Sequence, residues 1–130
     1  MFTVRSVFST LLAAILFLLL ASPAPAGQQP LTDKTLVAWV VPANLEQQGS
    51  GVLSIIEGDA FDSIVLGEVR PGVWMPGSDH FNRTKTSQGD WPQQTEPAMT
   101  CVAIVYEGNT IRLYRDGELA VSYEIDAPQT

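Results

Sequence analysis

Three things are scarce in this 130-residue chain: cysteine, histidine and positive charge. There is one cysteine, Cys101, so no disulfide can form within the chain. Its setting in an apolar run, Cys101 to Tyr106, predicts a buried and inert thiol. There is one histidine, His80. No HExxH, CxxC, GxSxG or phosphate-loop pattern occurs, which removes the common zinc, catalytic-triad and nucleotide chemistries. Seven Lys and Arg stand against 14 Asp and Glu. Without a basic cluster to neutralise phosphates, nucleic acid is excluded as a partner. A long apolar run is also missing: Leu11 to Leu20 falls short of the roughly 20 residues that a spanning helix needs.

That short run does have the layout of a targeting segment. Arg5 supplies the positive n-region, Leu11 to Leu20 the apolar h-region, and Ala24-Pro25-Ala26 the small residues before a cleavage point at Gly27. Residues 1–26 are therefore expected to be a signal peptide. The remainder is expected to be secreted, periplasmic or at the cell surface, with no membrane contact after cleavage. All 14 acidic residues lie beyond this segment, so the exported part is strongly acidic. Residues 27–130 suffice for one modest core and no second domain.

The pattern of that part is β throughout. Cys101 to Ile125 reads as three strands: Cys101 to Tyr106, Thr110 to Arg115 and Glu118 to Ile125. Glu107-Gly108-Asn109 closes the first turn, and Asp116-Gly117 supplies the positive-φ pair that a two-residue hairpin requires. Further back, Val52 to Glu57 and Phe61 to Glu68 read as a hairpin across Gly58-Asp59. Val73-Trp74-Met75 reads as a short strand ended by a turn at Pro76-Gly77. Thr35 to Val41 is apolar on both faces, which predicts a central strand between two packed layers. Short strands with Gly and Pro punctuation add up to an all-β antiparallel sandwich or jelly roll.

The hairpin residues Ala103, Val105, Tyr106, Gly108, Ile111, Leu113, Tyr114, Asp116 and Gly117 resemble the central hairpin of laminin-G-like domains. These belong to the concanavalin A-like lectin/glucanase superfamily. Lys34 to Val40 is similar to that family's early strand, in which an alternating run carries a buried Trp. The resemblance implies a concanavalin A-like jelly roll. The chain stops just past Asp116-Gly117, where the pattern expects one or two further strands. It is expected to be a minimal variant or, the favoured reading, a fragment of a longer product. Phe61-Asp62 to Gly67-Glu68, with Pro71-Gly72-x-Trp74-Met75-x-Gly77-Ser78-Asp79, resembles the accessory domain before the propeller of bacterial levanase/invertase-type fructan hydrolases. The carboxylate-bearing nucleophile motif of those enzymes is absent.

Two functions from different classes follow. One is a carbohydrate-binding, lectin-like accessory module of a secreted glycoside hydrolase, its partner a polysaccharide or oligosaccharide. The other is a structural or adhesion-type interaction domain that binds no sugar. A sugar site needs an aromatic face and planar polar groups. Trp74, Asp79, His80, Asn82, Arg83 and Trp91 offer that mixture along the polar stretch Ser78 to Pro97 and just before it. For each tryptophan the alternative is a core position, so exposure of Trp74 or Trp91 favours the first function and burial of both favours the second. Catalytic carboxylates are not expected, because Glu57-Gly58-Asp59 lacks a third acid and Asp59-x-x-Asp62 has the wrong parity for a shared strand face. No cofactor is required. The resemblance admits calcium, with Asp59, Asp62 and Asp79 the loop-adjacent acids that could converge on it.

Overall fold

Alternating inward residues organise the chain into two antiparallel sheets in a computed structural model, which describes residues 32–85 and 90–126. The expected signal peptide lies outside the described residues. Seven strands occur among those described: β1 (Lys34–Val40), β2 (Ser50–Glu57), β3 (Ala60–Leu66), β4 (Trp74–Ser78), β5 (Thr100–Glu107), β6 (Thr110–Arg115) and β7 (Glu118–Glu124). One sheet has the order β1-β5-β6-β7 and the other β2-β3-β4. Together they form an all-β sandwich, and no barrel is closed.

The meander β5-β6-β7 forms where the sequence places it. Gly108 and the pair Asp116-Gly117 have positive φ, as the tight turns demand. The β2–β3 hairpin likewise turns at Gly58-Asp59. Between the sheets lies one core. Leu36, Val102, Ile104, Tyr106, Ile111, Leu113 and Tyr123 enter it from the larger sheet, and Ile64, Leu66 and Trp74 from the smaller.

Two expectations are corrected here. β1 is not central: it is the outer strand of its sheet, bonded to β5 alone among the described residues. Its second apolar row, Val37, Trp39 and Val41, faces out, and Trp39 is 71% exposed rather than a buried core tryptophan. Pro76-Gly77 is not a turn but continues β4, opposite Ile64 and Ser63. β4 is an outer strand, which tolerates a proline without an N–H. Gly77 is small because Val65 crosses it, and an added Cβ would sit 2.5 Å from Val65 Cγ2.

Charged residues bind the two sheets together. Lys34 at the start of β1 and Asp62 on β3 both point inward, and Lys34 Nζ meets Asp62 Oδ2 at 2.6 Å. Arg83 Nε donates to the other oxygen, Asp62 Oδ1, at 2.7 Å. Both partners are almost fully buried. Lys34 also lies 5.1 Å from the centre of the Tyr106 ring, so its charge has an aromatic neighbour as well. Each Asp62 oxygen therefore carries a cation, which is what a buried carboxylate needs to remain charged. Removing the carboxylate takes from Lys34 and Arg83 the buried counter-charge that they share. Asp62→Ala is expected to destabilise the fold by about 3–5 kcal/mol. Urea denaturation measures this, and a loss under about 1 kcal/mol, the worth of an exposed pair, would refute it.

Candidate interaction surface

The stretch that follows β4 holds most of the residues expected to form a sugar site, and the structure divides them into three groups. Trp74 is in the core at 0% exposure, and its Nε1–H donates to Gln94 Oε1 at 2.8 Å. Trp91 is 5% exposed and packs edge-on against Tyr123, ring centres 5.9 Å apart at 88°. Neither ring offers a face to a ligand, so both take the core alternative. Gln94 explains why this polar stretch is ordered around them. Its amide nitrogen donates to the carbonyls of Glu96 and Ala98, each at 2.8 Å, while its backbone N–H reaches Gly72 O at 2.7 Å. A buried glutamine in a run of polar residues gives no periodic signal, and the sequence reading passed over it.

Asp79, Asn82 and Arg83 do come together, as a structural cluster. A short 3-10 turn, Asp79–Phe81, brings them round. Arg83 Nη2 donates to Asp79 Oδ1 at 2.8 Å and to Phe61 O at 2.9 Å, and Asn82 Nδ2 donates to Asp79 Oδ2 at 2.9 Å. The Arg83 carbonyl accepts from the Tyr123 hydroxyl at 2.7 Å. Arg83 is buried, and its guanidinium is occupied by Asp62, Asp79 and Phe61. It is a strut between loop and sheets rather than a reader of sugar hydroxyls.

His80 stands apart. It and Phe81 both adopt positive φ, 48° and 57°, a conformation uncommon for residues with a Cβ. Both line a shallow groove of about 350 Å³ on the outer face of the smaller sheet. The groove's floor is small, with Gly51, Ser63 and Gly77, and Glu68 lies on its wall. Ser54 Oγ donates to Ser63 Oγ across it at 2.9 Å.

The acids expected for calcium do not gather. Asp62 sits on β3, neutralised by Lys34 and Arg83, and Asp79 is engaged by Arg83. Asp59 is in the β2–β3 turn. Among the described residues no group of three or more His, Cys, Asp or Glu is placed to hold a metal ion.

Among the described residues the most exposed aromatic ring is Trp39, expected from the sequence to lie in the core. On the outer face of the four-stranded sheet, Val37, Trp39 and Val41 form the β1 row. Trp39 pairs across to Cys101, and Val37 to Ala103. Ala103 in turn pairs to Tyr114 on β6. Met99, just before β5, and Leu119 on β7 are also exposed. Cys101 is half-buried on this outer face, not enclosed as expected, because strand parity turns it away from the core with Ala103 and Val105. The β1 row is thus an exposed apolar strip on an outer strand.

No known protein family, curated protein or solved structure matches the chain. The fold is that of an all-β sandwich.

The Asp79 carboxyl is held below its ordinary value. Burial opposes its charge, but hydrogen bonds from Asn82 and Arg83, with the Arg83 charge, outweigh that. Asp116 is also lowered, by the backbone N–H of Cys101 first, against some burial, and then by the Thr100 hydroxyl. A depressed carboxyl contributes stability that is present above the unfolded value of about 3.9 and is lost as pH falls through the lower folded value. Asp79→Asn is expected to be less stable at neutral pH and to lose less on acidification below about pH 4. Melts of both proteins from pH 7 to 2 check this, and parallel acid limbs would contradict it.

Proposed function

We propose that this protein is an exported interaction module of adhesion type that docks a protein partner on the outer face of its four-stranded sheet. The observation that carries this is the inversion of the tryptophans: Trp39 is exposed while Trp74 and Trp91 are buried. Monomeric proteins rarely leave contiguous apolar surface in water, and a tryptophan amid aliphatic neighbours is the kind of anchor around which interfaces form. Trp39 has Val37 and Val41 along its own strand and Cys101 opposite. A saccharide would need free donors and acceptors beside the ring to read its hydroxyls; the flanking Val37 and Val41 supply none, and the Asp116 carboxylate beyond Cys101 is engaged by the Cys101 N–H and the Thr100 hydroxyl. Apolar surroundings suit a protein. The laminin-G-like resemblance of Cys101 to Ile125 fits adhesion modules of that superfamily equally well.

The carbohydrate reading keeps one place on the molecule, the groove of His80 and Phe81, which combines an exposed ring, an imidazole and a carboxylate above small residues. In that reading the chain serves as accessory domain to a secreted glycoside hydrolase.

One pair of experiments separates the two. A photo-cross-linking residue placed at Val41, in protein produced and exported by its own cell, is expected to yield one discrete protein adduct, lost on Trp39→Ala. The same probe at Glu57 yields none. Melts against a panel of fructans and β-glucans are expected to be flat, since a ligand that binds only the native state must raise its stability. A rise with one glycan that disappears in His80→Ala/Phe81→Ala would establish the groove and displace the interaction reading.

A further inference from the structure

Lysine is among the side chains least often buried, yet the side chains of Lys34 and Asp62 are only 7% and 5% exposed. Lys34 Nζ lies 2.6 Å from Asp62 Oδ2, one bond short of the carboxyl carbon. Arg83 Nε–H donates to the other oxygen, Oδ1, at 2.7 Å. The Tyr106 ring lies beside the amine. Against the pair is a cavity of about 20 Å³, room for one water, and Lys34, Asp62, Arg83 and Glu57 are on its walls. Glu57 ends β2 on the same side as Ile55, which packs against the core.

An amine, a carboxyl carbon, a donor fixed on one carboxyl oxygen and a second carboxylate beside a water-sized space are the parts of an acyl transfer. We propose that Lys34 and Asp62 join in an intramolecular amide bond, formed by the folded chain itself, which ties β1 of one sheet to β3 of the other. The ion pair is the state from which the bond forms. This goes beyond the docking reading above and does not depend on it.

The step balances within the pair. One proton passes from the Lys34 ammonium to Asp62 Oδ2, leaving an amine and a carboxylic acid. Nζ then attacks Cγ, and the negative charge that develops on Oδ1 is met by the Arg83 N–H already directed at it. A second proton leaves the nitrogen by way of Glu57 and reaches the Oδ2 hydroxyl. The Cγ–Oδ2 bond breaks, and water departs into the cavity. One ammonium and one carboxylate become one amide and one water, with no oxidant, reductant or other reagent. Fixed groups react at effective concentrations far above those in solution. Burial penalises the charged reactants, whereas the amide is neutral and keeps Oδ1 as an acceptor for Arg83. With one cysteine the chain has no internal disulfide to constrain its unfolded state, and this bond supplies that constraint.

Intact-mass measurement of the purified full chain, with peptide mapping, tests this. The chain isolated unfolded in urea is expected to have the full mass of its sequence and to lose one water on refolding. Digestion is then expected to release the segment around Lys34 joined to the segment around Asp62, with fragmentation placing the link on the lysine side chain. Lys34→Arg, which keeps the charge but has no amine to acylate, is expected to keep its full mass. Glu57→Gln is expected to slow the loss of water about a hundredfold. A refolded chain of full mass overturns the proposal. So does a loss of water that persists in Lys34→Arg, or one that maps elsewhere, such as a cyclic imide at Asp116-Gly117. Should Lys34→Arg fail to fold, the peptide map of the unsubstituted chain decides alone. An unchanged rate in Glu57→Gln overturns the proton route through that residue.

Discussion

The carboxylate of Asp62 is the point on which the two sheets are fixed relative to each other. It stands on β3 of one sheet, receives Lys34 from β1 of the other, and receives Arg83 from the loop after β4. Three charges out of water would be costly if any went unpaired. Here each oxygen has its own cation, and Arg83 directs its Nη2 to Asp79 and the Phe61 carbonyl. Such a network discriminates between registers more than it adds stability. A one-residue slip of β3 against its neighbours would turn Asp62 to the outside and away from Lys34 and Arg83. The loop gains definition from the same source. Once Arg83 is held, its carbonyl accepts from Tyr123 on β7, and Ser78 and Thr84 close a second set of bonds around Pro76 O.

Parity made part of this legible in the sequence. Asp62 lies two and four residues before the inward Ile64 and Leu66, and Lys34 lies two before the inward Leu36. A charge at an inward position of each of two strands predicts that the two meet. The meander from Cys101 to Ile125 was legible because Asp116-Gly117 fixes its turn locally, whatever packs on either side. β1 was not. An apolar–apolar alternation describes equally a strand covered on both faces and an outer strand with a docking row, since periodicity reports side-chain type and not what covers it. The tryptophans were misplaced for the same reason. Trp74 sits in a strand of only five residues and Trp91 in a polar stretch, and the partners that enclose them, Gln94 and Tyr123, are 20 and 32 positions away.

Pro76-Gly77 shows a local rule overridden by place in the sheet. The dipeptide has turn chemistry, yet the strand runs through it. An outer strand needs only half its backbone groups for pairing, which removes the objection to proline. A neighbouring Val65 fills the space that a larger residue at 77 would take. The same proline closes that edge to further strands. Local features here do two tasks at once, shaping a strand and blocking its free side.

The two outer faces differ in kind, and the difference bears on how an acidic chain can carry an apolar patch. Over the smaller sheet the groove floor is glycine and serine with Glu68 beside it, a surface that water wets. Over the larger sheet the β1 row is valine and tryptophan. Net negative charge opposes the approach of like chains over about a Debye length, while apolar contact acts only on touching. What the charge cannot do is weaken a contact in which it takes no part. Thr35 to Val41 carries no ionisable side chain, so the net charge does not act on the β1 row through that strand's own residues.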